Sequence, residues 1–194
     1  MVHTLLSSVL VLTSLVQWGE NIKLSAGPHY SHYLLYQDDQ EAQGKWGIGG
    51  EIAVVNLIPN IGLKLRGTRL RYEDAENSYV YEYTPFSLCT SFNILPFLKL
   101  DWMRLSVETG FGLYFWRGLY NDEVIVLPTG EEMDERDLGF VAGLTLQVRP
   151  VRYIGVEYST QYNYIASADI YKYGFLDKDD KIWEHGLGLK IIWP

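Results

Sequence analysis

The 194-residue chain holds a single cysteine, Cys89, so no internal disulfide can staple it, and no CxxC or Cys/His spacing offers a zinc site. No apolar run reaches the roughly 18 residues that a membrane-spanning helix requires, which excludes a helical membrane protein. Basic charge is scarce: 16 Lys and Arg stand against 24 Asp and Glu, a net charge of -8. Neutralising nucleic-acid phosphates takes a clustered basic surface, and no segment supplies one, so a nucleic-acid partner is excluded. From residue 20 onward, helical periodicity is missing as well.

What the chain has instead is alternation with a period of two. Met103, Leu105, Val107, Thr109, Phe111, Leu113 and Phe115 share one face of an extended segment, and Arg104, Ser106, Glu108, Gly110, Gly112, Tyr114 and Trp116 share the other. The same two-sided pattern recurs over 138–148, 154–164 and 183–193, and less regularly over 20–36, 45–56, 61–72 and 79–94. That makes eight strands, with Pro28 and Pro85 expected to mark bulges because proline cannot donate to a sheet ladder. Tight proline-containing connections at 57–60, 95–98 and 149–152 alternate with long polar ones at 37–44, 73–78, 117–136 and 165–181. Short turns at one end and long loops at the other predict an all-β fold, an eight-stranded antiparallel up-and-down transmembrane barrel with its long loops outside the cell and mobile.

Alternation alone does not decide whether the apolar face meets lipid or a dry interior, so a soluble periplasmic lipocalin-like ligand-binding barrel stays open. Three features favour lipid. The polar face is rich in glycine (Gly47, Gly49, Gly110, Gly112, Gly139, Gly143, Gly155, Gly186, Gly188), which suits the narrow interior of eight strands. Large aromatics gather at two levels: Trp102, Tyr153 and Trp193 near the short turns, and Phe115, Tyr162, Tyr164 and Trp183 toward the loops. The apolar stretches also match the length a bilayer core demands. On this reading Leu105, Phe111, Leu144, Val156 and Leu189 face lipid.

The N-terminus carries an apolar run from Leu5 to Val16, too short to span and suited to a signal-peptide core, with Gly19 as the last removed residue. The expected organisation is a signal peptide at 1–19 and a barrel domain at 20–194.

At this point the pattern resembles the small eight-stranded outer-membrane barrel family of OmpA, OmpX and the opacity-type proteins. The segments VETGFGLYFWRG and DLGFVAGLTLQVRPVRYIGVEYSTQYNYI look like that family's central and penultimate hairpins. A last strand ending in Trp193 resembles the aromatic ending read by the barrel-assembly machinery, with Pro194 following it here. The resemblance implies an outer-membrane location, outer-membrane lipid and lipopolysaccharide as neighbours, and a structural, adhesive or surface-interaction role.

Some small barrels trim or transfer lipid A acyl chains, so a Ser/His/acid set is the catalytic candidate. HYSHY at 29–33 puts His29 and Ser31 on one face and resembles the His-x-Ser element of lipid A deacylases, although in that family the element lies late in the chain and faces lipid. Asp122, Glu123, Glu131, Glu132, Asp134, Glu135 and Asp137 could gather a divalent cation, but their spacing matches no EF-hand loop and solvated loop carboxylates are the plainer reading. No metal or cofactor is expected. On the inward face, four acids (Glu51, Glu108, Glu157, Glu184) oppose four bases (Lys64, Arg66, Arg104, Lys190). Counted from the short turns, Glu51, Arg66, Arg104 and Glu157 approach one level, which predicts a salt-bridged plug and no open pore.

Overall fold

The computed structural model describes residues 22–36, 43–73, 80–95, 102–166 and 180–193. The proposed signal segment at 1–19, most of the connections at 37–44, 73–78, 95–98 and 165–181, and Pro194 lie outside the described residues. Eight long strands follow one another: β1 (Lys23–Tyr36), β2 (Gln43–Ile58), β3 (Ile61–Glu73), β4 (Val80–Asn93), β5 (Met103–Tyr120), β7 (Asp134–Val151), β8 (Ile154–Ala166) and β9 (Asp180–Trp193). A two-residue strand, β6 (Glu123–Val124), sits between β5 and β7. Each long strand pairs antiparallel with the next, and β1 pairs with β9, so the sheet closes on itself and leaves no unpaired long edge. Among the described residues there is no helix.

The alternation read from the sequence sets which way each side chain points. Along β5, β7, β8 and β9 the residues of the apolar face are exposed outward, and those of the polar face are mostly buried inside. With a period of two, one residue of slip would put Glu108 on the outside and Val107 within, so the register is strongly specified.

Pro28 and Pro85 do not produce bulges. The register of β1 against β9 and of β3 against β4 is the same on either side of each proline, and the ladder loses a rung on one flank only. Neighbours on both sides hold the register, so a missing N–H interrupts the pairing without shifting it. The register shifts lie instead beside the tight turns, between Val54 and Ile58 and between Val148 and Val151. Asn56 in the first shift has φ of 58°, a left-handed conformation that asparagine tolerates.

The connection expected as an irregular loop at 117–136 is largely paired. Strand β5 continues to Tyr120, Asn121 and Asp122 turn with φ of 52° and 64°, and β6 folds back onto Leu119 and Tyr120. Two consecutive positive φ values are what a two-residue hairpin turn needs to match strand twist. A Val126–Glu132 bridge and backbone bonds from Gly118 N to Met133 O and from Leu127 N to Glu131 O complete a ribbon that ends at the turn around Gly130. The polar composition signalled exposure here, and exposure does not exclude backbone pairing.

Candidate functional site

The barrel interior is the most chemically dense part of the molecule, and it has two layers. In the middle, seven charged side chains are buried: Glu51, Lys64, Arg66, Glu108, Glu157, Glu184 and Lys190. Lys64 Nζ lies 2.6 Å from Glu108, 3.1 Å from Glu157 and 3.5 Å from Glu51. Arg66 donates to Glu51 from Nη2 at 2.8 Å and from Nε at 3.0 Å, and its other contacts reach Glu157 at 3.3 Å and Glu184 at 3.4 Å. Lys190 sits 2.8 Å from Glu51. Neutral donors complete the layer: Ser31 Oγ donates to Glu184 at 2.6 Å and Gln161 Nε2 to Glu108 at 2.9 Å.

Proximity in the sheet explains the strongest of these pairs. Glu51 and Arg66 are direct cross-strand partners, so both side chains enter the barrel at one height. Burying an isolated charge costs several kcal/mol even after relaxation, and mutual pairing with added hydrogen bonds offsets that cost. Room for the interior side chains comes from glycine. A Cβ on Gly186 would lie 2.1 Å from the His29 Nε2, and one on Gly112 would lie 2.3 Å from the Tyr114 hydroxyl. At both places only a hydrogen fits between strand and ring.

Arg104 does not join the network. Its Nε donates to Ser106 and its Nη1 to Asn56, both at 3.1 Å, and no carboxylate pairs with it among the described residues. Counting residues from the turns placed it level with Arg66, but strands in a barrel are tilted and staggered, so equal counts do not give equal heights. The expected match of four acids to four bases is therefore four acids to three bases, with His29 beside Glu184 at 3.4 Å. His29, Glu51 and Glu157 could by distance alone gather around a cation. Lys64, Arg66 and Lys190 already neutralise those carboxylates.

Toward the loop end lies a second, apolar layer that the sequence reading of a polar interior missed: Tyr33, Leu70, Tyr83, Tyr114, Ile165 and Ile182, with Trp116 packed against it. Tyr83 and Tyr114 stack at 6.0 Å, and the Tyr114 hydroxyl donates to Asn163 at 2.8 Å. The signal was present, because all six have inward parity near the loop ends of their strands.

Outside the barrel the chemistry is reversed. Phe111, Leu144, Val156 and Leu189 are exposed and Leu105 is half-buried, all on the outer face. Trp102, Tyr153 and Trp193 are exposed at the short-turn end, while Trp183 packs its ring on Tyr162 at 5.1 Å nearer the loops and Tyr164 is half-buried there. On the same outer face Trp46 stacks on Tyr30 at 4.9 Å, and His32 faces His185 across β1 and β9.

No family model and no curated protein matches this chain in sequence. Solved structures match it in shape. The attachment invasion locus protein Ail of Yersinia pestis superposes with a TM-score of 0.58 at 15% identity, over 88% of this chain and 98% of that one. Neisserial surface protein A gives 0.57 at 10% identity, over 88% and 96%. A major outer membrane protein of Thermus thermophilus gives 0.60 at 12%, over 89% and 100%. The fold is that of the small eight-stranded outer-membrane barrels. In this barrel the candidate catalytic pair lies on the inward face of β1: His29 and Ser31 are both buried, with His29 Nε2 3.4 Å from Glu184 and Ser31 Oγ donating to it at 2.6 Å.

Proposed function

We propose that the chain is an integral outer-membrane barrel with a structural, adhesive or other surface-interaction role, closed to flow by its charged and aromatic layers. The observation that carries this reading is the inversion of polarity. Seven charged side chains are sealed inside, while Ile48, Phe111, Leu138 and Leu187 stand largely exposed on the outer face. In water that surface would far exceed the apolar patch a soluble monomer tolerates, and in a bilayer it is the favourable arrangement. The same inversion argues against a lipocalin-like barrel, whose ligand cavity is lined with apolar side chains.

The likeness to Ail and to Neisserial surface protein A supports a role at the cell surface, and one Ail structure holds the heparin analogue sucrose octasulfate. The segment at 1–19 would direct export, and Trp193 at the end of β9 would be the signal for the barrel-assembly machinery. A lipid A deacylase-like activity finds little support at His29 and Ser31, because acyl chains in the membrane reach the outer face and not the barrel interior.

Two measurements test the reading together. Folded protein in detergent is expected to migrate differently on gels before and after heating, and in planar bilayers it is expected to show no steady conductance. Water-soluble protein without detergent would refute the membrane assignment, and large stable single-channel currents would refute the closed interior.

A further inference from the structure

The outer face changes character abruptly around half of the barrel. Across β3, β4, β5 and β7, residues at matching register form outward rows, and the two rows at mid-strand are apolar. One row reads Leu65, Leu88, Phe111, Phe140 and the next Gly67, Phe86, Leu113, Leu138. Above them, at the loop end, one row carries Thr84, Phe115 and Arg136, with Arg69 at the same level across the break in the β3–β4 ladder, and the next carries Arg71, Glu82, Arg117 and Asp134. Four guanidinium groups thus crown an aromatic wall, against two carboxylates in the same rows.

The two arginines of β3 are tied down: Arg69 pairs with Glu82, and Arg71 with Glu82 and Asp122. Arg117 and Arg136 are exposed and have no ion-pair partner among the described residues. Around the other half, over β8, β9, β1 and β2, the loop-end rows carry Tyr162 and Trp183, then Thr160, His185, His32 and Trp46, with no arginine among the described residues. The arginines are confined to one sector, and the outermost row opposite carries a single lysine, Lys181, beside Tyr164.

We propose that this sector is a binding site for a phosphorylated lipid of the outer leaflet, whose acyl chains lie on the aromatic wall and whose phosphates are held by Arg117 and Arg136 with Arg69 and Arg71 alongside. The proposal rests on the outer-membrane reading. Arginine suits the role because its planar fork donates two parallel hydrogen bonds to a phosphate, and it remains charged at an apolar boundary. Phe86 and Phe115, in edge-to-face contact at 5.9 Å, form the step where chain meets headgroup. A soluble polyanion would use the guanidinium groups but leave the wall beneath them unused, so the continuity of wall and crown favours the lipid.

The test uses the full chain folded in neutral detergent micelles, titrated with fluorescently labelled lipid A, with its dephosphorylated form, and with sucrose octasulfate as competitor. Lipid A is expected to bind more tightly than the dephosphorylated lipid. The R117A/R136A variant should still show heat-modifiable migration yet lose affinity by about fivefold per arginine removed. K181A, on the opposite sector, should bind as the parent does. Equal affinity for the two lipids, or an unchanged R117A/R136A variant, would overturn the proposal. Tight binding of sucrose octasulfate with no preference for either lipid would overturn the lipid as occupant and assign the arginines to a soluble polyanion. Failure of the parent chain to fold in micelles at all would refute the outer-membrane reading itself, and the site with it.

Discussion

Lys64 is the residue on which the charged layer should depend most. Its ammonium contacts three of the four interior carboxylates, the nearest at 2.6 Å from Glu108. Replacing it with methionine keeps the chain's bulk but leaves four acids facing two fixed cations, Arg66 and Lys190. Glu108 suffers most, because its remaining polar contact is a neutral one from Gln161 at 2.9 Å. Breaking a buried ion pair by removing one partner costs about 3–5 kcal/mol, chiefly through the stranded charge. Lys64→Met is therefore expected to lower the unfolding free energy by about that amount. Adding Glu108→Gln removes the stranded charge, so the double variant should recover about 1–3 kcal/mol relative to the sum of the single effects. Equilibrium urea unfolding in lipid vesicles, followed by tryptophan fluorescence and heat-modifiable migration, measures all three variants. Single effects that add within about 0.5 kcal/mol would refute the coupling. A Lys64→Met variant as stable as the parent would refute the layer's structural role.

Arg104→Ala should cost only about 1–2 kcal/mol in the same unfolding assay, since it loses hydrogen bonds to Asn56 and Ser106 and strands no acid. Leu144→Arg, on the outer face, is expected to destabilise the barrel by about 2–4 kcal/mol if it lies near the bilayer midplane, measured by folding into vesicles. Gly186→Ala should cost about 1–3 kcal/mol through overpacking against His29, and the same change in a His29→Ala background should cost much less. Protease added to intact cells is expected to cut the ribbon near Gly130 and to spare the turns at 59–60 and 152–153, and the reverse pattern would invert the proposed topology.

Strand number, strand faces and the outward orientation of Leu105, Phe111, Leu144, Val156 and Leu189 could be read from the sequence because each rests on period-two alternation, a local property. The charged residues were also identifiable, since a charge on the inward face of an eight-stranded barrel has nowhere else to go. Their partnerships were not, because contacts across the barrel depend on tilt and stagger, which no count from a turn supplies. Arg104 and Arg66 sit at similar counts but at different heights. The aromatic layer around Tyr33 and Tyr114 was missed for a different reason. Tyr114 and Trp116 were already on the inward face, but parity strand by strand does not show that inward apolar residues of six strands meet at one level. Prolines misled as well: Pro28 and Pro85 looked like bulge sites, but the shifts lie where a strand approaches a tight turn and has slack to absorb an extra residue.

The seam between β1 and β9 joins the two ends of the chain, and it is also where the charged layer becomes complete. Ser31 reaches Glu184 across 153 residues of sequence, Arg66 reaches the same acid across 118, and Lys190 meets Glu51 on β2. Until β9 docks on β1, Glu184 lacks both Ser31 and Arg66, and Lys190 keeps Glu157 of the neighbouring β8 at 3.8 Å but lacks Glu51. Partly closed forms are thus penalised by electrostatics as well as by their unpaired strand edges. The contacts of Glu184 and of Lys190 with Glu51 form only when the seam closes, so β9 acts as the latch of the barrel.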